Sequence, residues 1–211
     1  MIVAGLTGSI GMGKSTAGDM LRQMGVPIHD ADATVHELMG PGGAAVAAIA
    51  TLCPDSLKTN DKGVEFIDRK ILGRHIFADP ALKAAVEGTL YPLVQVSEEK
   101  FIAEKEKEGH RLVVLDVPLL FETGWDARVD KTIVVSAPFE VQKARVLARP
   151  GMTEERFNDV LKAQLPDAEK RRRAHHVVDT GTGIEDTRRQ LAAIVAELAP
   201  AAKPAPHRPH P

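Results

Sequence analysis

The sequence predicts an α/β fold in three layers, with helices on both faces of a five-stranded, mostly parallel sheet. Two observations carry that prediction. Short apolar runs recur at Ile2-Val3-Ala4-Gly5-Leu6, Val26-Pro27-Ile28, Leu112-Val113-Val114-Leu115, Thr132-Ile133-Val134-Val135 and Val177-Val178. Runs without polar alternation suit strands buried on both sides. Most of these runs are separated by helical periodicity, so that the chain reads as strand and helix in alternation with parallel crossovers. In such sheets ligands bind at the carboxyl ends of the strands.

Taken in order, the first run is a strand that ends in a glycine-rich turn. Ala17, Met20, Leu21 and Met24 then recur at i, i+3, i+4, i+7, a helix that Gly25 closes at its C-terminal cap. The second strand leads into His29-Asp30-Ala31-Asp32. The gap between the second and third strands is too long for a plain crossover and reads as a helical insertion. Asp79-Pro80 marks one helix start in it and Pro92 a second. Glu104 to Glu108 alternates in charge before Gly109, the pattern of a solvated helix end. The expected organisation is one domain over residues 1–199, with its core in 1–32, 110–140 and 175–199. The insertion occupies 33–109 and a lid 141–174. The Pro- and Ala-rich stretch 200–211 has too few large apolar residues to pack and is expected to be a disordered tail.

Composition narrows the class of function. The 211 residues are 44% hydrophobic and 27% charged, an ordinary globular balance. A net charge of −2 gives no global field to hold a polyanion, so no nucleic-acid partner is expected. The single cysteine, Cys53, has no partner for an intramolecular disulfide, which fits a reducing compartment. No apolar run reaches the roughly 18 to 20 residues of a membrane span, and the N-terminus lacks a charged leader. The expectation is a cytoplasmic protein without membrane contact or an obligate protein partner.

The turn after the first strand carries the chemistry. Gly8-Ser9-Ile10-Gly11-Met12-Gly13-Lys14-Ser15 matches glycine, four residues, then Gly-Lys-Ser, between a strand and a helix. This is the P-loop pattern, in which backbone N–H groups converge on phosphate oxygens. Gly8, Gly11, Met12, Gly13, Lys14, Ser15 and Thr16 are therefore candidate ATP-binding residues. Lys14 reaches the β and γ phosphates, Ser15 offers a hydroxyl to magnesium, and the helix dipole points at the same anion. The fold class sharpens to a P-loop NTPase. A GTPase is excluded, because neither Asn60 nor Asn158 is followed by Lys-x-Asp and no glycine has an aspartate three positions before it. A kinase for a small acceptor remains.

Three further groups join it. Asp30 and Asp32 stand at the end of the second strand, where one carboxylate is expected to face the nucleotide as a candidate base and the other to cap the next helix, Asp32 being the functional candidate. The third strand ends in Asp116, a candidate magnesium ligand, directly or through water. Residues 143–173 hold nine Lys and Arg against five Asp and Glu, a local +4 that leaves −6 for the rest of the chain. Arg145 and Arg149, four residues apart on one helix face, are its candidates for neutralising a transferring phosphoryl group.

These residues together resemble the dephospho-CoA kinase family. The resemblance runs to about residue 198. It rests on Gly5-Leu6-Thr7-Gly8 before the P-loop, Asp30-Ala31-Asp32, Asp68-Arg69 with Leu72 and Ile76-Phe77, Tyr91-Pro92-Leu93-Val94, Asp116-Val117-Pro118-Leu119-Leu120-Phe121-Glu122, and Gln164 after the basic segment. It implies ATP-dependent phosphorylation of the ribose 3′-hydroxyl of dephospho-CoA, with magnesium. It also implies Asp32 as base, Lys14 and Arg145 as charge stabilisers, and an acceptor site drawing on Asp32, His36, Arg69, Pro118 and Leu119. The alternatives are a nucleoside or nucleotide kinase of the same fold and a non-catalytic ATP-binding module. The chain departs from the family pattern at Ser9, Met12, Tyr91, Thr180 and His36. At position 36 an arginine is common; arginine is permanently charged, whereas histidine as a class is largely neutral near pH 7.

Overall fold

The computed structural model describes residues 1–200; the proline- and histidine-containing stretch expected to be a disordered tail lies almost entirely outside the described residues. The described chain divides into two compact units, Met1–Ile28 with the described residues from Gly109 onward, and His29–Glu108. In chain order the elements are β1 (Ile2–Thr7), α1 (Lys14–Gln23), β2 (Ile28–Asp30), α2 (Ala31–Met39), α3 (Val46–Leu52), β3 (Leu57–Thr59) and β4 (Glu65–Ile67). They continue as α4 (Arg69–Ala78), α5 (Pro80–Lys107), β5 (Leu112–Asp116), β6 (Lys131–Ser136), α6 (Phe139–Leu147), α7 (Glu154–Lys162), α8 (Asp167–Arg173), β7 (His176–Asp179) and α9 (Ile184–Leu198).

The main sheet has the order β2-β5-β1-β6-β7. β1 lies between β5 and β6, parallel to both, with Ile2 opposite Leu112 and Leu6 opposite Ile133. Ala4, Leu6, Leu112, Val114, Ile133 and Val135 turn to one face and pack on Ala17, Met20 and Leu21 of α1 and Leu191, Ile194 and Leu198 of α9. Val113, Leu115 and Val134, at the alternate positions, are buried too. Burial on both faces is why these strands read as unbroken apolar runs. The second unit has its own core, formed by Met39, Val46, Ile49, Ile67, Leu72, Val86 and Leu90. Cys53 is buried there as a free thiol. No helix among the described residues is long and apolar enough to cross a membrane.

Several local expectations need correction. Pro92 does not open a helix; it lies inside the 28-residue α5, which begins at the capped Asp79-Pro80. Proline costs one backbone hydrogen bond inside a helix, but Val86 and Leu90 before it and Val94 after it are buried, so packing carries the helix through. The insertion is not purely helical, since β3 and β4 form an antiparallel hairpin. Its turn is built by Asn60, whose side-chain oxygen accepts the N–H groups of Lys62 and Val64, and by Gly63 at φ +75°. The second strand starts at Ile28 and ends at Asp30, two residues later than Val26-Pro27-Ile28 suggested. α6 ends at Leu147, which leaves Arg149 in the turn beyond it, not on a shared helix face with Arg145.

In the second unit His29 is 7% exposed, with its Nε2 3.0 Å from Ser97 Oγ of α5 and 3.2 Å from Thr34 Oγ1 of α2. Its Nδ1 is buried without a hydrogen-bond partner. Burial lowers its pKa below the usual histidine value, against the opposing pull of Asp30 and Glu37. The unfolded chain therefore takes up a proton near pH 6.5 that the folded chain refuses, and stability falls as pH drops through that value. Thermal melts of wild type and His29→Gln from pH 7.5 to 5.5 test this: the wild-type Tm should fall more steeply, and parallel curves refute it.

Candidate active site

In the first unit the P-loop, residues 8–15, joins β1 to α1 as its spacing predicts. Gly11 and Gly13 adopt φ +76° and +88°, in the left-handed region that costs other residues a Cβ clash. Gly13 is also the N-cap of α1, with no side-chain cap, so the first N–H groups of that helix remain for an anion. Met12 is buried, and its sulfur accepts the N–H of Ala137 at 3.1 Å. Ser15 and Thr16 lie exposed in the first turn of α1.

Lys14 Nζ lies 2.5 Å from Asp116 Oδ1 at the end of β5. Asp116 is 4% exposed. A buried carboxylate needs a partner of opposite charge, and here the loop's own ammonium serves. Magnesium takes oxygen ligands and is held by one or two carboxylates together with substrate phosphates. Asp116 and the Ser15 hydroxyl are donors of that kind, and the cation now facing Asp116 marks the place as suited to positive charge.

Arg145 is exposed on α6 and donates to the Thr180 hydroxyl at 3.1 Å and to the Thr180 carbonyl at 2.7 Å. Thr180 in turn donates to the Met12 carbonyl at 2.8 Å. Arg145 is thus tied to the P-loop through one buried threonine, whereas Arg149 is exposed in the turn beyond α6. Position 180 stood out in the sequence only as a departure from the family pattern; its bridging role comes from the contacts alone.

The turn after β5 is held from two sides. The Thr7 hydroxyl donates to the Pro118 carbonyl at 3.0 Å, and Leu119 is exposed beside it. Further along, Glu122 accepts the Leu165 N–H at 2.8 Å and pairs with Lys170 at 2.8 Å. Lys170 is 0% exposed. Burial pushes the Glu122 carboxyl up, but Lys170 and the Leu165 N–H outweigh it and hold it below its ordinary range. Nothing in the sequence signalled this pair, because Lys170 opens a Lys-Arg-Arg-Arg run, and such charge runs commonly face water. Ser136 also donates to Asp167 at 2.7 Å.

The second unit carries the other predicted residues. Asp30 is the N-cap of α2, its side chain accepting the Ala33 N–H at 2.9 Å. Asp32 follows in the first turn, exposed, not in extended chain as alternation along the strand would have it. His36, also exposed, lies one helical turn further on the same face. Arg69 is the exposed first residue of α4, whose cap Asp68 accepts the N–H groups of Lys70 and Ile71. Those backbone hydrogen bonds lower the Asp68 pKa.

The Dephospho-CoA kinase family model matches residues 1–186. The chain belongs to that family. A dephospho-CoA kinase of Mesorhizobium japonicum is 47% identical over 198 residues, 94% of this chain and 97% of the relative. One from Novosphingobium aromaticivorans is 49% identical over 196 residues, covering 93% and 94%. Among solved structures, a Thermus thermophilus protein is similar with a TM-score of 0.78 and 36% identity, covering 93% of this chain and 97% of that one. The dephospho-CoA kinase from Campylobacter jejuni follows with a TM-score of 0.70 and 25% identity, covering 93% and 96%. Membership in this family makes the chain a nucleotide-binding kinase with the P-loop fold.

Proposed function

We propose that this chain transfers the γ-phosphoryl group of ATP to the ribose 3′-hydroxyl of dephospho-CoA, giving CoA and ADP. The observation that carries this reading is a P-loop of full pattern within a chain matched over residues 1–186 by the Dephospho-CoA kinase family. Phosphoryl transfer asks the protein mainly for positioning and for neutralisation of charge. The P-loop N–H groups and Lys14 are suited to hold the β and γ phosphates. Asp116 and Ser15 are suited to hold magnesium, which when bound neutralises charge on the β and γ oxygens.

In this reading Asp32 takes the proton from the 3′-hydroxyl as its oxygen bonds to the γ phosphorus. The bond from that phosphorus to the β–γ bridging oxygen breaks, and ADP leaves. Asp32 is exposed, so its carboxylate is open to a bound acceptor. Residues 141–174 form a lid, with Arg145 and Arg149 the candidates for stabilising charge on the transferring group. His36, Arg69, Pro118 and Leu119 bind the acceptor. The reaction's soluble small-molecule substrates fit a cytoplasmic enzyme.

The test is ADP release with ATP and magnesium, comparing dephospho-CoA with adenosine, AMP, uridine and thymidylate, with products identified by mass. Turnover confined to dephospho-CoA is expected. Turnover on another acceptor alone overturns the substrate assignment while keeping the phosphate chemistry, and silence on all five favours a binding module.

A further inference from the structure

One residue of the P-loop, Ile10, is held through both of its backbone groups by side chains from the basic segment. The Ile10 carbonyl accepts a hydrogen bond from Gln142 Nε2 of α6 at 2.8 Å, and the Ile10 N–H donates to Gln164 Oε1, just beyond α7, at 3.1 Å. Gln142 lies in α6, near the start of residues 141–174, and Gln164 in the turn between α7 and α8. An amide side chain offers a donor at one atom and an acceptor at the other; here one glutamine uses its donor and the other its acceptor. Gln142 is 3% exposed, so this partner of the Ile10 carbonyl is sheltered from exchange with water. The neighbouring Gly11 presses on the same helix, since a Cβ built there meets Val146 Cγ2 at 2.5 Å. The loop therefore has little room to turn on α6.

The geometry points to Gln142 and Gln164 as positioning residues that lock the two peptide planes flanking the Ile10 Cα and so couple the phosphate cradle to residues 141–174. A peptide plane moves as one body, because rotation about its C–N bond is blocked. Gln164 holds the Ser9–Ile10 plane by its N–H and Gln142 the Ile10–Gly11 plane by its carbonyl; tilting the second alters ψ at Ile10 and φ at Gly11, and with them the direction of the N–H groups that follow in the loop. Either glutamine alone leaves one of the two planes free to swing. Both together fix the cradle before ATP arrives, so that ATP does not bear the ordering cost on binding. When the lid moves, both of its glutamines act on the same residue. The lid part of this inference rests on the kinase reading above; the effect on ATP binding does not.

The test uses the full chain with Gln142→Met, Gln164→Met and the double variant. Three quantities are read: ATP–magnesium affinity by titration without acceptor, KM for each substrate, and the exchange rate of the Ile10 amide by NMR. Each single variant should weaken ATP binding roughly three- to tenfold, the range of one lost hydrogen bond. The KM for dephospho-CoA should stay within twofold. The double variant should fall clearly short of the product of the singles, because both partners fix the backbone of one residue. Gln164→Met should expose the Ile10 amide to faster exchange. Faster exchange with unchanged ATP affinity overturns the proposal, and so does a strictly multiplicative double variant. Equal rises in both KM values with a lowered Tm would mean that the glutamines only support the fold. Tight ATP binding in a wild type that phosphorylates no acceptor would instead overturn the kinase reading and leave the titration as the test of the clamp.

Discussion

Lys14→Ala should lower turnover by about two to three orders of magnitude, the loss expected when one preorganised charge is removed from a developing anion. The P-loop places this lysine at the N-terminus of α1, and the structure shows its ammonium on Asp116. That pairing adds a second consequence. Asp116 is almost fully buried, and without Lys14 its carboxylate loses that compensating charge, so the Tm should fall as well. Steady-state kinetics and a thermal melt measure the two effects separately. A rate within a few-fold of wild type would remove the P-loop from the chemistry.

Asp32→Asn should be equally severe on turnover and nearly silent on stability. A general base typically contributes about two to four orders of magnitude, and asparagine keeps the shape while losing the proton acceptor. The cap of α2 is Asp30, which the substitution leaves intact. Asp32 is exposed in the first turn, where its charge contributes only about 0.3–1 kcal/mol through the helix dipole. ATP affinity should stay within twofold of wild type. An undiminished rate, measured with saturating ATP and dephospho-CoA, would sink Asp32 as the base.

Where one short segment holds its own explanation, the sequence was legible. The apolar run of β1, the glycines after it and the apolar stripe of α1 lie within two dozen consecutive residues. Asp79-Pro80 likewise names a cap and a first helical residue in one dipeptide. Pro92 misleads because its local preference is overruled by apolar side chains buried on both sides of it in α5. The hairpin of β3 and β4 goes unseen because three-residue strands are too short to show a period. Arg149 misleads differently: a spacing of four places two residues on one face only while the helix lasts, and α6 stops at Leu147.

By itself, then, the sequence determined the class of chemistry, since a phosphate cradle is a local backbone device that a few glycines, a lysine and a serine define in order. It also determined the alternation of strand and helix that places such a loop at the end of a strand. Only the tertiary structure decided what each functional side chain touches. Lys14 meets Asp116 across 102 residues, and Ile10 meets Gln142 and Gln164 across 132 and 154. Buried Lys170 against Glu122, and Thr180 between Arg145 and Met12, are of the same kind. Local propensity and spacing act within a turn or two of chain. Pairing between distant residues is set by how the sheet orders its strands and by which polar groups burial leaves in need of a partner.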